Sequence, residues 1–291
     1  QHSLFFNPEV DLETLHNHRK SFERLSLTPL SQKETENRDL SDIPVLIIAP
    51  GPSSREKIDG VARAVALAKS GNYCVVLAGS AVRFLYDGTL SAKEVHGVVF
   101  NNPESAFEGL IQGASEIKDI TFLVASHCKP EVFEALSENN ASVKAFHSFI
   151  EEADDFLSGD VAVGSGYGAA VSAIGLMSAL GHRDFEAVGW DGMPEYAIDI
   201  SDMPDYQADL NQRRMIVNVG EKQHLIYEGF GGDVPEFVKF VQEYPQAVKS
   251  LYLHGQGPTA QMLNNPDGSR RFDFSTIGVA DSTGWESPQI S

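Results

Sequence analysis

The sequence predicts an α/β protein built on a doubly wound, mostly parallel sheet. Two observations carry this prediction. From residue 44 to residue 188, short apolar runs of strand length alternate with longer helical patterns. Two of these runs end in Gly-rich turns that lead into helices, at Pro50-Gly51-Pro52 and at Gly164–Gly168. Alternation of this kind is typical of right-handed βαβ units in a Rossmann-like sheet.

The individual elements follow from periodicity and from turn residues. Apolar runs predict strands at Val45–Ala49, Cys74–Leu77, Val95–Phe100, Ile120–Ala125, Val143–Phe146, Phe185–Val188 and Leu251–Leu253. Helical spacing predicts helices at Lys57–Ser70, Ala81–Tyr86, Glu104–Ile117, Pro130–Ser137, Ala169–Leu180 and Val234–Tyr244. The acidic stretch 193–209 is expected to form a mobile, lid-like loop.

Three regions are expected along the chain. Residues 1–43 form an N-terminal helical appendage and linker, because Leu12–Leu27 has helical spacing and Thr28-Pro29 interrupts it. Residues 44–255 form an α/β nucleotide-binding domain. Residues 256–291 are rich in Gly, Pro, Asn and Ser, and are expected to form an irregular C-terminal tail.

Composition restricts the possible partners. The chain has 291 residues, with 22 Lys and Arg against 41 Asp and Glu, for a net charge of −19. Such an excess of acidic residues argues against nucleic-acid binding, because a negatively charged protein repels the phosphate backbone of a nucleic acid. No apolar run approaches the ~18 residues of a membrane span, and no residues show the spacing of metal ligands. We therefore expect a cytoplasmic protein whose partners are small molecules.

The turn after the first strand is the first candidate site. In Pro50-Gly51-Pro52-Ser53-Ser54 a glycine lets the backbone approach a ligand closely, and the following helix start offers free N–H groups. These features predict a nucleotide phosphate site. The alternative is an ordinary strand-to-helix turn with a serine N-cap.

Two sequence blocks together resemble a known family. The first is Ile47–Ser53, and the second combines Gly164-Ser165-Gly166 with a small-residue helix, Leu180-Gly181 and Val188–Asp191. This order resembles the 6-hydroxymethylpterin diphosphokinase MptE-like family, which includes the motility accessory factors. It is also similar to bacterial sialyltransferases of the GT-A-like, CMP-sugar-using kind. The resemblance covers residues 43–255.

The two branches of this resemblance imply different chemistry. A diphosphokinase requires Mg²⁺-ATP and protein carboxylates, and in that branch the third strand ends in an aspartate pair. Here the third strand ends in Asn101-Asn102-Pro103, which resembles the sialyltransferase turn that contacts CMP without a metal. The resemblance therefore favours a metal-independent transferase with a CMP-linked sugar as its donor, and no tightly bound cofactor. Mg²⁺-ATP remains the substrate under the alternative.

The resemblance also assigns roles to individual residues. The residues that it places around the nucleotide are Gly51, Pro52, Ser53, Ser54, Asn101, Asn102, Gly164, Ser165, Gly166 and Asp191. All of them follow predicted parallel strands, where open α/β sheets bind ligands.

Catalysis needs a base for the acceptor hydroxyl or an acid for the leaving phosphate. The resemblance places a histidine after the Gly-Trp-Asp strand, which makes His224 the candidate, and a shifted register offers Tyr227 instead. A catalytically silent nucleotide-binding or assembly module is the remaining alternative. The sugar, the acceptor and the oligomeric state are not indicated by the sequence.

Overall fold

The structure, a computed structural model, describes most of the predicted α/β region. The described residues are 12–25, 27, 30–35, 38–55, 59–101, 117–148, 162–163, 168–191, 214–219, 222–227, 233–255 and 257–277. All structural statements below concern these residues.

Ten strands are found in the described part of the chain. They are β1 Val45–Ile48, β2 Cys74–Ala78, β3 Gly97–Phe100, β4 Thr121–Ala125, β5 Ser142–Ser148, β6 Ala162–Val163, β7 Asp184–Val188, β8 Arg214–Val219, β9 Lys222–Tyr227 and β10 Ser250–His254. Eight of them form one sheet in the order β10-β7-β1-β2-β3-β4-β5-β6. Every neighbouring pair in this sheet is parallel. Strands β8 and β9 form a separate antiparallel hairpin.

The described helices connect these strands. They are α1 Leu12–Glu23, α2 Gln32–Thr35, α3 Pro52–Arg55, α4 Gly60–Lys69, α5 Arg83–Tyr86, α6 Pro130–Glu138, α7 Ala169–Ala179, α8 Asp233–Glu243 and α9 Pro258–Leu263. Two 3₁₀ turns, Gly79–Val82 and Ile117–Asp119, complete the set. The sheet and its helices confirm the predicted α/β, doubly wound, Rossmann-like class.

Strand β1 lies in the interior of the sheet, between β7 and β2. Its four residues are all fully buried, so both of its faces are covered. A strand buried on both faces must be apolar throughout, which is why Val-Leu-Ile-Ile shows no alternation. The chain winds outward from β1 through β2 to β6 and then returns to the other side of β1 with β7 and β10. The switch point of the sheet is therefore between β1 and β7.

Helix α7 packs across β1, β2, β3 and β6. Every residue from Ala170 to Ser178 is buried, and the sequence contains Ala, Ser and Gly at close intervals. Because small side chains shorten the distance between a helix and a sheet, this helix lies deep in the fold. It brings the chain from β6 back to β7 across the centre of the sheet.

The N-terminal appendage contacts the sheet near β5. Phe22 of α1 packs against Phe133 of α6 at 5.4 Å and against the His147 ring at 6.1 Å between ring centroids. The Leu30 N–H donates to the Ala145 carbonyl at 2.7 Å. Appendage residues 12–35 therefore extend the core beyond the α/β layers.

The C-terminal residues up to 277 are mostly irregular but well bonded. Arg271 pairs with Leu251 across an antiparallel bridge, and its guanidinium donates to the carbonyls of Leu263 and Asn264 at 2.7 and 2.6 Å. These bonds hold the segment against β10, which is an outermost strand of the sheet. The predicted irregular tail therefore contains one short helix, α9, and a return to the sheet.

Several predicted boundaries differ from the observed ones by one to four residues. Strand β5 extends from Ser142 to Ser148, well beyond the four residues predicted, because its alternate polar residues are accommodated beside the appendage. The predicted helix at Glu104–Ile117 lies outside the described residues except for Ile117, which begins a 3₁₀ turn, and the predicted acidic loop 193–209 lies outside them altogether. The pairing of β8 with β9, and the position of β10 beside β7, had no counterpart in the sequence-based prediction.

Shortening a side chain in β1 is expected to destabilise the fold. Ile47 is 0% exposed, so Ile47→Ala removes buried apolar contacts and leaves a cavity, at a cost of about 3–4 kcal/mol. The measurement is the free energy of unfolding in urea. Ile43→Ala is the matched control, because Ile43 is 45% exposed. Equal losses in the two variants would contradict the central position of β1.

Candidate functional site

The turn after β1 is hydrogen-bonded to the turn after β7. Gly51 N–H donates to the Gly189 carbonyl at 2.8 Å, and Ser53 N–H donates to Asp191 Oδ2 at 2.7 Å. In return, Gly189 N–H donates to Ser53 Oγ at 2.6 Å. We refer to Gly51, Ser53, Gly189 and Asp191 as the β1–β7 junction. It lies at the carboxyl ends of the two strands that flank the switch point.

The two glycines of this junction are required by its close approach. A Cβ on Gly51 would lie 2.3 Å from the Gly189 carbonyl oxygen and 2.5 Å from Asp191 Oδ2. Gly189 has a φ of +84°, and a Cβ there would lie 2.0 Å from the Ala49 carbonyl oxygen. Glycine is the one residue that combines this backbone conformation with such contacts.

The serines of the turn bind protein groups. Ser54 Oγ donates to the Ala49 carbonyl at 2.5 Å, and Ser53 Oγ accepts from Gly189 as described above. Both side chains are buried, as are Pro52 and Asp191, whereas Gly51 is half-buried. The N–H that was expected to face a phosphate binds the carboxylate of Asp191. The Ser53 hydroxyl therefore joins two strand ends, the Ser54 hydroxyl closes its own turn, and ligand binding at Gly51–Ser54 stays a prediction.

The loop after β10 packs against the β1–β7 junction. Gly255 has a φ of +133°, and a Cβ there would lie 2.8 Å from the Ser53 Cβ and 2.9 Å from Asp191 Oδ1. A Cβ on Gly257 would lie 2.9 Å from the Asp191 carbonyl oxygen. Three consecutive strands of the sheet, β10, β7 and β1, thus contribute their carboxyl ends to one cluster.

Asn101 lies at the carboxyl end of β3 and is buried. Its amide Nδ2 donates to Ser172 Oγ of α7 at 2.6 Å, and its backbone carbonyl accepts from His127 Nε2 at 2.6 Å. His127 follows β4, and its own carbonyl lies 3.0 Å from His18 Nδ1 of the appendage. The end of β3 is therefore linked both to the central helix and to the N-terminal appendage.

The remaining predicted site residues are described only in part. Asn102, Gly164, Ser165 and Gly166 lie outside the described residues. His224 and Tyr227 belong to β9, where their backbones pair with Val217 and Arg214 of β8. The backbone of β8 runs beside α9, which follows β10. The catalytic roles of His224 and Tyr227 stay predictions.

Two polar clusters were not anticipated, one at the carboxyl edge of the sheet and one around the middle of β7. The first joins Ser126 Oγ to His147 Nδ1 at 2.8 Å, with both residues buried. The sequence contained a signal for this cluster, because Ser126 and His147 each directly follow a predicted strand. Phe22 of α1 covers the His147 ring. This cluster connects β4, β5 and the appendage.

The second cluster surrounds Glu186 of β7. His254 Nε2 lies 2.7 Å from Glu186 Oε2, and Arg270 forms an ion pair with the other carboxylate oxygen. Burial alone would raise the pKa of Glu186, but the His254 ring, the Arg270 guanidinium and the Tyr73 hydroxyl together hold the pKa below its ordinary value. A charged residue inside an apolar strand signals such a partner.

An acidic pair, Asp233 and Glu236, lies in the first turn of α8. Asp233 is 3% exposed, and its carboxylate lies against the Cα of Gly168, the residue before α7. Burial and the Glu236 carboxylate raise the pKa of Asp233 to about 8, against the opposing effects of the Trp190 indole and the Gly168 N–H. Burial likewise raises the pKa of Glu236 to about 7. In the sequence these acids look like ordinary helix-start residues.

Adding a methyl group at the β1–β7 junction is expected to destabilise the protein. Gly51→Ala forces apart two buried groups that lie 2.3 and 2.5 Å from the added Cβ, a cost of about 1–3 kcal/mol. The measurement is the free energy of unfolding in urea. Gly97→Ala in β3 is the matched control, because its added Cβ would lie 3.5 Å from the Thr121 carbonyl oxygen. A smaller loss for Gly51→Ala than for Gly97→Ala would contradict the junction.

The raised pKa of Asp233 predicts a pH-dependent stability. Between its ordinary pKa of 3.8 and about 8 the folded protein holds a proton that the unfolded chain releases, so stability falls as pH rises through this window. Asp233→Asn removes that proton and should flatten the decline. Urea unfolding at about pH 6 and about pH 9 measures it. Glu243→Gln, at a 54% exposed side chain of the same helix, should retain the wild-type slope. An undiminished slope in Asp233→Asn would contradict the assignment.

Comparisons with known proteins agree with the fold. No protein-family model and no curated protein matches the chain. Within the described residues, no helix is both long enough and apolar enough to cross a membrane. Among solved structures the chain is similar to the MAf glycosyltransferase from Magnetospirillum magneticum AMB-1, with a TM-score of 0.59 and 13% identity. The match covers 84% of this chain and 36% of that chain. At this identity the likeness shows a shared fold.

Proposed function

We propose that this chain is a nucleotide-dependent transferase, and more narrowly a metal-independent glycosyltransferase that uses a CMP-linked sugar. One observation carries the proposal: the β1–β7 junction lies at the switch point of a doubly wound parallel sheet. Open α/β sheets bind their ligands in the crevice outside the carboxyl ends of the strands at this point. The polar strand ends described above all lie at this edge.

The end of β3 supports a donor that needs no metal. An enzyme that transfers phosphate from Mg²⁺-ATP holds the cation through carboxylates. Asn101 instead offers an amide, and that amide donates to Ser172. An amide is suited to hydrogen bonds with a base or a sugar, which is the role proposed for Asn101 and Asn102.

The similar solved structure supports a transferase. That protein is described as a glycosyltransferase, and 84% of this chain matches a part of it. The chain spans about a third of that protein's length, since the match covers 36% of it. We therefore carry over the reaction class as a proposal for this chain, without the substrates of the longer protein.

The geometry refines the role of the first turn. Ser53 and Asp191 are buried and hydrogen-bonded between the two turns, and the buried Ser54 is bonded within its own turn, so these residues position the half-buried backbone of Gly51. Under the proposal the nucleotide approaches this backbone and the Gly164–Gly166 turn. An acceptor hydroxyl then attacks the anomeric carbon of the sugar, assisted by His224 or Tyr227, and CMP leaves.

Calorimetric titration with CMP and with ATP tests the proposal, each in the presence of Mg²⁺ and of EDTA. We expect CMP to bind with the same affinity in both conditions, because no metal bridges its phosphate to the protein. His224→Ala and Tyr227→Phe should retain CMP binding, and at least one of them should slow CMP release from a CMP-sugar donor. Tyr244→Phe is the matched control, since Tyr244 is 60% exposed at the end of α8.

Three results would contradict the proposal. ATP binding that requires Mg²⁺, without CMP binding, would favour the diphosphokinase. CMP binding without turnover of any CMP-sugar would favour a silent nucleotide-binding module. Failure of both nucleotides to bind would reject a nucleotide site at this edge altogether.

A further inference from the structure

Strands β7 and β10 have one apolar face and one polar face. On the apolar face Phe185 lies opposite Leu251, and both are buried. Because side chains alternate along a strand, the other face carries Glu186, Tyr252 and His254. Tyr252 and His254 are half-buried, whereas Glu186 is only 7% exposed. This face therefore combines a buried carboxylate with aromatic rings that solvent and small molecules can reach.

His254 is the last residue of β10 and lies at the carboxyl edge of the sheet. It pairs with Val188 of β7, and Val188 pairs with Ile48 of β1, so the three residues form a row just before the turns of that edge. Two strand spacings, about 10 Å, separate His254 from Ile48. The next residue, Gly255, packs against the β1–β7 junction. His254 therefore lies beside the strand ends at which the proposed function places the nucleotide.

The hydrogen bond to Glu186 determines which nitrogen of His254 carries the hydrogen. His254 Nε2 lies 2.7 Å from Glu186 Oε2. Burial acts to raise the pKa of Glu186, but its interactions with His254, Arg270 and Tyr73 outweigh burial and hold the pKa below its ordinary value. The carboxylate is therefore ionised at neutral pH and can only accept, so Nε2 is protonated. A neutral imidazole then has its lone pair on Nδ1, which has no hydrogen-bond partner among the described residues.

The charges around His254 balance without it. Glu186 forms an ion pair with Arg270, so these two side chains together have no net charge. The other titratable groups of the cluster are Tyr73, which hydrogen-bonds to Glu186, and Tyr252, whose ring packs edge-on against the imidazole at 4.7 Å between ring centroids. Burial and the Glu186 carboxylate raise the pKa of Tyr73, so Tyr73 is neutral at physiological pH. An imidazole that is held by a carboxylate, and is not needed to balance a charge, is arranged to accept a proton.

We propose that His254 is the general base that takes the proton of the acceptor hydroxyl, and that Glu186 is a positioning residue that keeps the proton-accepting nitrogen at Nδ1. This inference rests on the proposed glycosyl transfer and assigns one of its steps. Assistance from His224 or Tyr227 then concerns the leaving phosphate.

The step balances as follows. The acceptor oxygen forms a bond to the anomeric carbon while its proton passes to Nδ1 of His254. The bond between the anomeric carbon and the phosphate oxygen breaks, and its electron pair stays on that oxygen, so CMP leaves as an anion. The Glu186 carboxylate stabilises the imidazolium that results. His254 gives its extra proton to solvent before the next turnover.

Release of CMP from CMP-N-acetylneuraminic acid tests the role of His254, with water as the acceptor and the uncatalysed hydrolysis subtracted. The wild-type rate should fall towards low pH, because the base becomes protonated. In His254→Gln we expect an unchanged KM, a kcat lower by about 10²–10⁴-fold and no fall towards low pH. In His254→Ala, added imidazoles should restore the rate, and the more basic imidazoles should restore more of it. A merely structural role of the ring would not produce that dependence on basicity.

Two variants of β7 separate positioning from strand pairing. Glu186→Gln no longer offers an ionised acceptor that fixes the tautomer of His254, so kcat should fall by about 10-fold or more at an unchanged KM. Asp184→Asn is the matched control, because the Asp184 carboxylate also joins β7 to β10, accepting from Ser250 Oγ at 2.7 Å at the other end of β7. It should keep the wild-type kcat and pH profile. Urea unfolding confirms that the compared variants are folded.

The outcomes distinguish this inference from the proposed function. A wild-type pH profile in His254→Gln, rescue independent of basicity, or equal losses of kcat in Glu186→Gln and Asp184→Asn overturns the inference, while CMP release by the wild-type protein upholds the proposed function. A wild-type protein that releases no CMP overturns both. If the substitutions at His254 prevent folding, nitrogen NMR of the wild-type imidazole decides. Hydrogen on Nε2 is the expected result, and hydrogen on Nδ1 alone overturns the inference.

Discussion

The carboxylate of Asp191 holds together the part of the molecule on which the proposed site depends. It accepts the Ser53 N–H at 2.7 Å inside a buried junction, and the Ser53 hydroxyl accepts the Gly189 N–H in return. A buried carboxylate is tolerated only where such donors satisfy it. This reciprocal bonding fixes the turn after β1 against the turn after β7, and the loop after β10 closes on both. The shape of the sheet edge at the switch point follows from it.

Three groups of polar residues at the carboxyl edge of the sheet differ in their hydrogen bonds. The β1–β7 junction is hydrogen-bonded across its two turns and serves to position backbone. The Ser126–His147 pair joins β4 and β5 to the appendage through Phe22. The Asp233–Glu236 pair retains unfilled oxygens among the described residues. Buried acids with a raised pKa are common at reactive sites, whereas turns joined by reciprocal hydrogen bonds are common in the scaffold of a fold.

The sequence predicted the fold class and most strand positions because buried parallel strands are continuous apolar runs. Val45–Ile48 and Asp184–Val188 lie within a residue of their predicted bounds. The position of β10 beside β7 was not predictable, since strand pairing leaves no periodic signal. The same limit explains the missed acids. Asp233 looks like a helix-start residue until the fold buries it against Gly168, and Ser53 looks like a helix cap until β7 presents Gly189.

The junction also has a consequence for how the chain acquires its structure during synthesis. Ser53 and Asp191 are 138 residues apart, and β7 pairs with β1 on the side opposite to β2. Until β7 leaves the ribosome, β1 has one edge of unpaired backbone groups, an arrangement that favours association with other chains. Contacts this distant in sequence form slowly. The six strands from β1 to β6 therefore leave the ribosome before the strand that covers this edge of β1, and the edge is open to association with other chains during that interval.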